Sequence, residues 1–295
     1  MTNPAQSRPP ASAIFGAVTA FGLWGVLPVY WKAIAHIGSD LAVAHRVVWT
    51  LVTVLPMLLW RGEFRAWMAS LRKPRIIGIH LWSALLLGVN WSTFVWAAHH
   101  NRIVECSLGY FLNPLLNVLI GFLLLGERLN RPQIISIGLA GFGVAMQIAV
   151  AGHLPWIALV LALSMGFYGL ARRQSPEGAL SGLATETLVT FPLAAAYLVW
   201  MQSKSVPLFG PARPSDMALL LGLGIITAIP LLGFAHAARK LPFAMLGLLQ
   251  FLAPTGQFLT GAVLYQEPVS GPVLFSFVFI WAAVFIFCWD LWRRT

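Results

Sequence analysis

The chain has 295 residues, of which 59% are apolar and 9% charged. Soluble domains carry about 25% charged residues, so a water-covered globular fold is excluded. The formal net charge of +10 is scattered between apolar runs and builds no basic domain, which argues against a nucleic-acid partner.

In chain order, the apolar runs fall near 13–33, 41–60, 76–98, 103–126, 132–150, 154–171, 179–200, 216–238, 243–265 and 269–291. A spanning helix needs about 20 apolar residues, so the spacing predicts ten transmembrane helices and an all-α integral membrane protein. Period-2 alternation is absent, and lipid-exposed strands would need a closed barrel. The segment before the first run is short and polar, and the run is too long for a signal-peptide core, so it reads as a retained first span. Connections such as Ile37-Gly38-Ser39-Asp40 and Gln174-Ser175-Pro176-Glu177-Gly178 are short. The longest, about 201–215, holds Pro207, Gly210, Pro211 and Pro214 and is too short for a domain. Cys106 and Cys288 lie inside apolar runs and offer neither a disulfide framework nor a metal cluster.

Basic residues orient the spans. One set of alternate segments holds Arg8, Arg61, Arg65, Arg72, Lys73, Arg75, Arg128, Arg131, Arg172, Arg173, Arg239, Lys240, Arg293 and Arg294. The other holds only Arg102, Lys204 and Arg213. Both termini are therefore expected in the cytoplasm, with an even number of spans between them.

A shift of 140 residues aligns 97–127 with 237–267 without gaps and matches ten positions, among them Phe111/Phe251, Pro114/Pro254, Gly121/Gly261 and Glu127/Glu267. Each half then holds five helices, 1–150 and 151–295. Five is odd, so the second half starts on the opposite side and is inverted. The loop charges agree: Arg128 and Arg131 follow Glu127, whereas Pro268 and Gly271 follow Glu267. Inverted repeats build two interconvertible faces around a midplane site in many secondary transporters.

Ten helices in a five-plus-five inverted repeat, with Pro…Gly…Glu closing the fourth helix of each half, resemble the drug/metabolite transporter superfamily and within it the EamA family. The segments Ala44-His45-Arg46-Val47-Val48-Trp49, Gly88-Val89-Asn90-Trp91, Ser107 to Leu115 with Gly126-Glu127-Arg128, and Phe167-Tyr168-Gly169 are similar to the RarD-type branch, which is associated with chloramphenicol sensitivity. The resemblance implies a bacterial inner-membrane exporter of small metabolites or drugs. The related YddG-type members export aromatic amino acids.

Polar groups inside spans are costly and tend to face the bundle interior. Tyr110, Asn113 and Asn117 share a face of the fourth helix beside Pro114, and Gln250 and Gln257 share one of the ninth beside Pro254. A proline frees a carbonyl that stays polar only where protein or water satisfies it. These side chains either line an aqueous path or bond helix to helix. Trp24, Asn90, Trp91, Phe94, Ser164 and Tyr168 mix aromatic and polar groups and are candidate cavity walls. Trp31, Trp60, Trp200, Trp289 and Trp292 sit at span ends and are assigned to interfacial belts. Lys32, His45, Arg46 and Glu105 fall near the outer face, and Glu105 is expected to pair with Arg46 or Lys32. Glu186 lies near Arg172 or Arg173 in depth, towards the inner side. Arg46 and Glu186 are related by the 140 shift but sit at opposite depths, and gating or structural roles are expected of them. His80, His236, His99 and His100 lie near span ends and read as solvated or packed. Pro114 and Pro254 are expected to act as paired gates.

No Walker A loop, HExxH or nucleophile elbow is present, and Gly138, Gly141 and Gly143 read as helix packing. The reading is a secondary transporter, with no cofactor and a monomer as the expected unit. It exports amino acids or amphipathic drug-like solutes by alternating access. Its rivals are a non-transporting membrane scaffold, in which Asn113, Asn117 and Gln257 would face other helices, and a membrane-embedded enzyme of lipid metabolism.

Overall fold

The computed structural model describes residues 10–126, 128–152, 154–204, 214–238, 240–241, 245–246 and 249–293. Glu127, Arg8, Arg213, Arg239, Arg294, Leu248 and most of the 201–215 connection lie outside them. Among the described residues the chain is all helix: α1 Ala11–Ala33, α2 Ser39–Trp60, α3 Phe64–Ser70, α4 Pro74–His99, α5 Ile103–Leu125, α6 Arg131–Ala151, α7 Trp156–Arg173, α8 Ala179–Ser203, α9 Pro214–Ala238, α10 Leu252–Leu259 and α11 Gly271–Arg293. Eight of these are long and apolar enough to cross a membrane, and α7 and α10 fall at the two further positions expected of spans. Apolar side chains such as Phe15, Leu193 and Phe285 point out of the bundle, as lipid contact requires.

Local signals set the helix ends. Asn130 caps α6 by accepting from the Gln133 backbone at 2.8 Å, while its own N–H donates to Gln133 Oε1 at 3.1 Å. Pro74 starts α4, and Gly126 and Gly152 close α5 and α6 with φ of 69°. The amphipathic helix α3 was not expected. It lies in the basic 61–75 connection with Trp67 buried.

The packing partners are related by the 140-residue shift. α1 lies on α9 as α7 lies on α4, and α1 lies on α10 as α7 lies on α5. α2 meets α8, α5 meets α10 and α6 meets α11, each helix pairing with its own counterpart. Small residues let these backbones approach. A Cβ on Gly256 of α10 would lie 2.9 Å from Gly25 Cα of α1, and one on Gly109 of α5 would lie 2.7 Å from the Ala158 carbonyl of α7. Of the glycines expected to pack helices, Gly143 meets Ser276 and Ile280 of α11, whereas Gly138 and Gly141 face open space.

The two prolines do not hold matching places. Pro114 sits in the middle of an unbroken α5. Pro254 stands in the first turn of α10, after a turn at Gln250 and Phe251. With no N–H on Pro254, the Gln250 carbonyl accepts instead from Ala253 at 3.3 Å. At its other end α10 widens into a π-helical turn, Thr260–Leu264.

Candidate functional site

Arg46 lies two turns into α2 and is 6% exposed. Its guanidinium carbon stands 3.8 Å from the ring centroid of Trp91 on α4 and 5.4 Å from that of Trp31 on α1. Its Nε donates to Thr227 Oγ1 on α9 at 3.2 Å. No carboxylate is paired with it among the described residues. Indole faces hold a cation through the ring quadrupole, but they accept few hydrogen bonds from a guanidinium fork with five N–H groups.

Beside Arg46 runs a polar chain across three helices. Tyr110 of α5 donates to Asn90 Oδ1 on α4 at 3.1 Å. The Asn90 amide donates to Ser164 Oγ at 3.0 Å and to the Leu161 carbonyl at 3.2 Å, both on α7. Phe94 meets the Tyr110 ring edge-on at 5.9 Å. Arg46, Asn90, Trp91, Phe94, Tyr110 and Ser164 thus form one cluster. Trp31 also belongs to it. Trp31 is fully buried, and its indole N–H has no partner, so its assignment to a lipid belt is corrected. Trp60, Trp200, Trp289 and Trp292 are exposed at their helix ends.

The other candidates fall elsewhere. Gln257 donates to the Trp24 carbonyl at 3.2 Å, a bond from α10 to α1, and its Oε1 is buried without a partner. The Trp24 ring packs on Phe21 and Phe234. Asn113 keeps a buried Oδ1 without a partner, whereas Asn117 is exposed beside Gly166. Gln250 is half-buried in the turn before α10. His45 accepts from Trp49 at 3.2 Å.

The outer charges pair differently from expectation. Glu105 binds Arg102, one turn away on the sequence, at 3.0 Å and meets neither Arg46 nor Lys32. Lys32 donates to Asn101 Oδ1 and lies over the Tyr265 ring. The reason is geometric: Arg102 is one turn away and partly exposed, whereas Arg46 is buried against the rings of Trp31 and Trp91. Glu267 is a further buried carboxylate, with a structural role. Its two oxygens accept from the Ile103 and Val104 backbones at 2.8 Å each, capping the N-terminus of α5. The terminal Glu of the repeat was the signal for it.

A second buried cluster closes the end of the bundle that carries α3. Both oxygens of Glu186 are engaged, Oε1 by Ser83 at 2.6 Å and His80 at 3.3 Å, Oε2 by Tyr168 at 3.2 Å. His80 is wholly buried and also meets Glu177 Oε2 at 3.0 Å, and Arg172 approaches Glu186 at 3.8 Å. Burial pulls the Glu177 carboxyl up, but bonds from His80, Ser70 and Thr185 outweigh it and hold the group below the ordinary carboxylate value. His80 stands at the centre of this cluster, which its position near a span end concealed. Among the described residues no group of His, Cys, Asp and Glu is disposed to hold a metal ion.

A family model for the EamA-like transporter family matches residues 11–149. An uncharacterized transporter of Vibrio cholerae is 38% identical over 282 residues, covering 93% of this chain and 91% of the relative. Protein RarD of Escherichia coli is 37% identical over 274 residues, covering 93% of each. A solved crystal structure matches with a TM-score of 0.61 at 22% identity, over 95% of this chain and 98% of that one, which is a likeness of fold.

Proposed function

Because the chain belongs to the EamA-like transporter family, in its RarD-type branch, and is a multi-pass membrane transporter, we propose that it is a secondary exporter of small carboxylate-bearing solutes with an aromatic or apolar body, amino acids among them. Residues 1–150 and 151–295 act as inverted halves, and the packing partners related by the 140 shift support this. The termini face the cytoplasm of a bacterial inner membrane, the side on which the basic connections gather. Solute binds between the halves and leaves outward by alternating access.

One observation carries the substrate class: a buried guanidinium between two indoles, bonded to a hydroxyl and paired with no carboxylate among the described residues. An uncompensated buried charge is strongly destabilising, and intramembrane cations mark solute paths. A carboxylate completes the guanidinium fork in bidentate geometry, while Trp91, Phe94 and Tyr110 contact the solute body. The Asn90–Ser164 chain fixes the Tyr110 hydroxyl beside it.

The test uses proteoliposomes. L-tryptophan and L-phenylalanine should move down their gradients, their carboxamides should not, and Arg46→Gln should abolish the difference. Equal transport of acid and amide, or competition by neutral chloramphenicol equal to that by the acids, overturns the assignment.

A further inference from the structure

The cluster at the α3 end joins the two halves. His80 and Ser83 come from α4. Arg172 and Tyr168 come from α7, Glu177 from the α7–α8 connection and Glu186 from α8. α3 adds the neutral groups Ser70 and Trp67, which bond Glu177 and Thr185 respectively. The ring nitrogens of His80 face two different carboxylates, Nδ1 to Glu186 at 3.3 Å and Nε2 to Glu177 at 3.0 Å, and the Ser175 hydroxyl also lies 2.9 Å from Nε2. A neutral imidazole protonated at Nδ1 can accept from Ser175 but still turns that lone pair towards Glu177; the imidazolium donates to both carboxylates. Charge agrees with geometry. Glu177, Glu186 and Arg172 sum to one net negative charge, and a proton on His80 neutralises the cluster. Arg172 lies 3.4 Å from the His80 ring and opposes that proton, but two carboxylates outnumber it.

We propose that this cluster is a proton-binding site, in which one proton on His80 locks the cytoplasmic end shut and leaves when that end opens. Parting α4 from α7 and α8 removes both carboxylates from the imidazole and admits water. A solvated His gives up its proton near neutral pH, here from the ring N–H to cytoplasmic water. Reclosure takes a proton up again from cytoplasmic water. The proton leaves to and returns from the same side, so acidity on that side favours the closed end and the cluster gates solute entry by pH. That this end opens and closes as a transport step rests on the transporter reading above.

The first measurement needs no solute. Spin labels at Arg75→Cys and Gln174→Cys, with Cys106 and Cys288 replaced, report the separation of α4 from the end of α7 in nanodiscs. The closed-to-open ratio should fall roughly tenfold per pH unit above the transition, as one linked proton dictates. His80→Gln leaves the net negative charge and should stay open at every pH. Glu186→Gln removes the charge that needs the proton and should stay closed at every pH, which answers the objection that the His80 variant simply misfolds. Distances independent of pH, or His80→Gln keeping the wild-type pH response, overturn the proposal.

The second measurement uses L-tryptophan in proteoliposomes. Downhill movement in wild type should respond to the pH on the α3 side, and His80→Gln, held open at that end, should not complete the cycle. If L-tryptophan moves downhill at a rate independent of that pH in both proteins, the latch is wrong and the transporter reading stands. If it moves at no pH, the solute assignment falls, and the label distances still decide whether the cluster binds the proton.

Discussion

Arg46 on α2 and Glu186 on α8 hold equivalent places, 140 residues apart, yet their surroundings are opposite in kind. Glu186 is saturated: Ser83, His80, Tyr168 and Arg172 converge on its two oxygens. Arg46 has two indoles and one hydroxyl for a group that can donate five hydrogen bonds. The repeat supplied one buried ionisable position to each half, and the second half closed its own with partners while the first left its own incomplete. A saturated charge serves as a latch and an incomplete one serves a ligand. The broadest way to break this comparison is to remove each charge in turn. Arg46→Ala should reduce solute affinity by about 10- to 100-fold, the worth of a charge-assisted hydrogen bond in a buried site. Arg46→Lys should recover only part of it, because an ammonium lacks the planar fork. Binding calorimetry with L-tryptophan measures both, and near-native affinity in Arg46→Ala would mean the site lies elsewhere.

The next effect concerns how Arg172 reaches the latch. Its guanidinium lies on α8 at Gly182, where a Cβ would overlap it, and Nη2 donates to the Gly178 carbonyl at 2.9 Å. Gly182→Ala should expel the guanidinium at a cost of about 1–3 kcal/mol, the usual range for overpacking. The label distances at the α3 end should then widen at every pH while Arg46-dependent solute binding persists. Unchanged distances would show that Arg172 is not needed for closure.

The helices were legible because membrane thickness imposes a length that apolar runs reveal directly. The helix α3 was hidden because it is short and amphipathic, and its apolar side acquires meaning only when Trp67 finds Thr185. The break before α10 was hidden for a related reason: the 140 shift matches Pro254 to Pro114, but the shift does not say which carbonyls keep partners. In the site, Asn90, Trp91, Tyr110 and Ser164 could each be picked out as polar or aromatic groups in spans. That Arg46 joins them depends on the crossing of α2 with α4 and α9, which no local pattern encodes. Trp31 looked like a belt residue because it ends a span, yet helix packing buries it completely. His80 was passed over because its partners lie about 100 residues away, although His80 and Ser83 one turn apart on α4 were a readable hint.

Glu267 sharpens the contrast as a carboxylate with purely structural partners. It satisfies two backbone N–H groups of α5 at 2.8 Å. In Glu267→Gln one carboxylate oxygen becomes an NH2 that cannot accept, and the charge facing the helix N-terminus is lost. The expected destabilisation is about 1–2 kcal/mol, a fall of a few degrees in Tm. Solute affinity of the folded fraction should be unchanged, since α5 still carries Tyr110. A loss of affinity without a loss of Tm would move Glu267 into the solute path.

The smallest effect is expected at Glu105. Its partner Arg102 is one turn away at 3.0 Å and both side chains retain solvent, at 33% and 15% exposure. Water screens such a pair, and holding two long side chains together costs entropy, so exposed pairs contribute about 0.2–1 kcal/mol. Had Glu105 paired with Arg46, removing either member alone would have stranded a buried charge at several times that cost. A double-mutant cycle separates the cases. Glu105→Gln with Arg102→Gln should show a coupling below about 1 kcal/mol in Tm-derived stability, weakening with salt. Glu105→Gln with Arg46→Gln should be additive in both stability and solute binding. Strong coupling between Glu105 and Arg46 would give the guanidinium an internal counter-ion, and the carboxylate assignment of the solute would lose its ground.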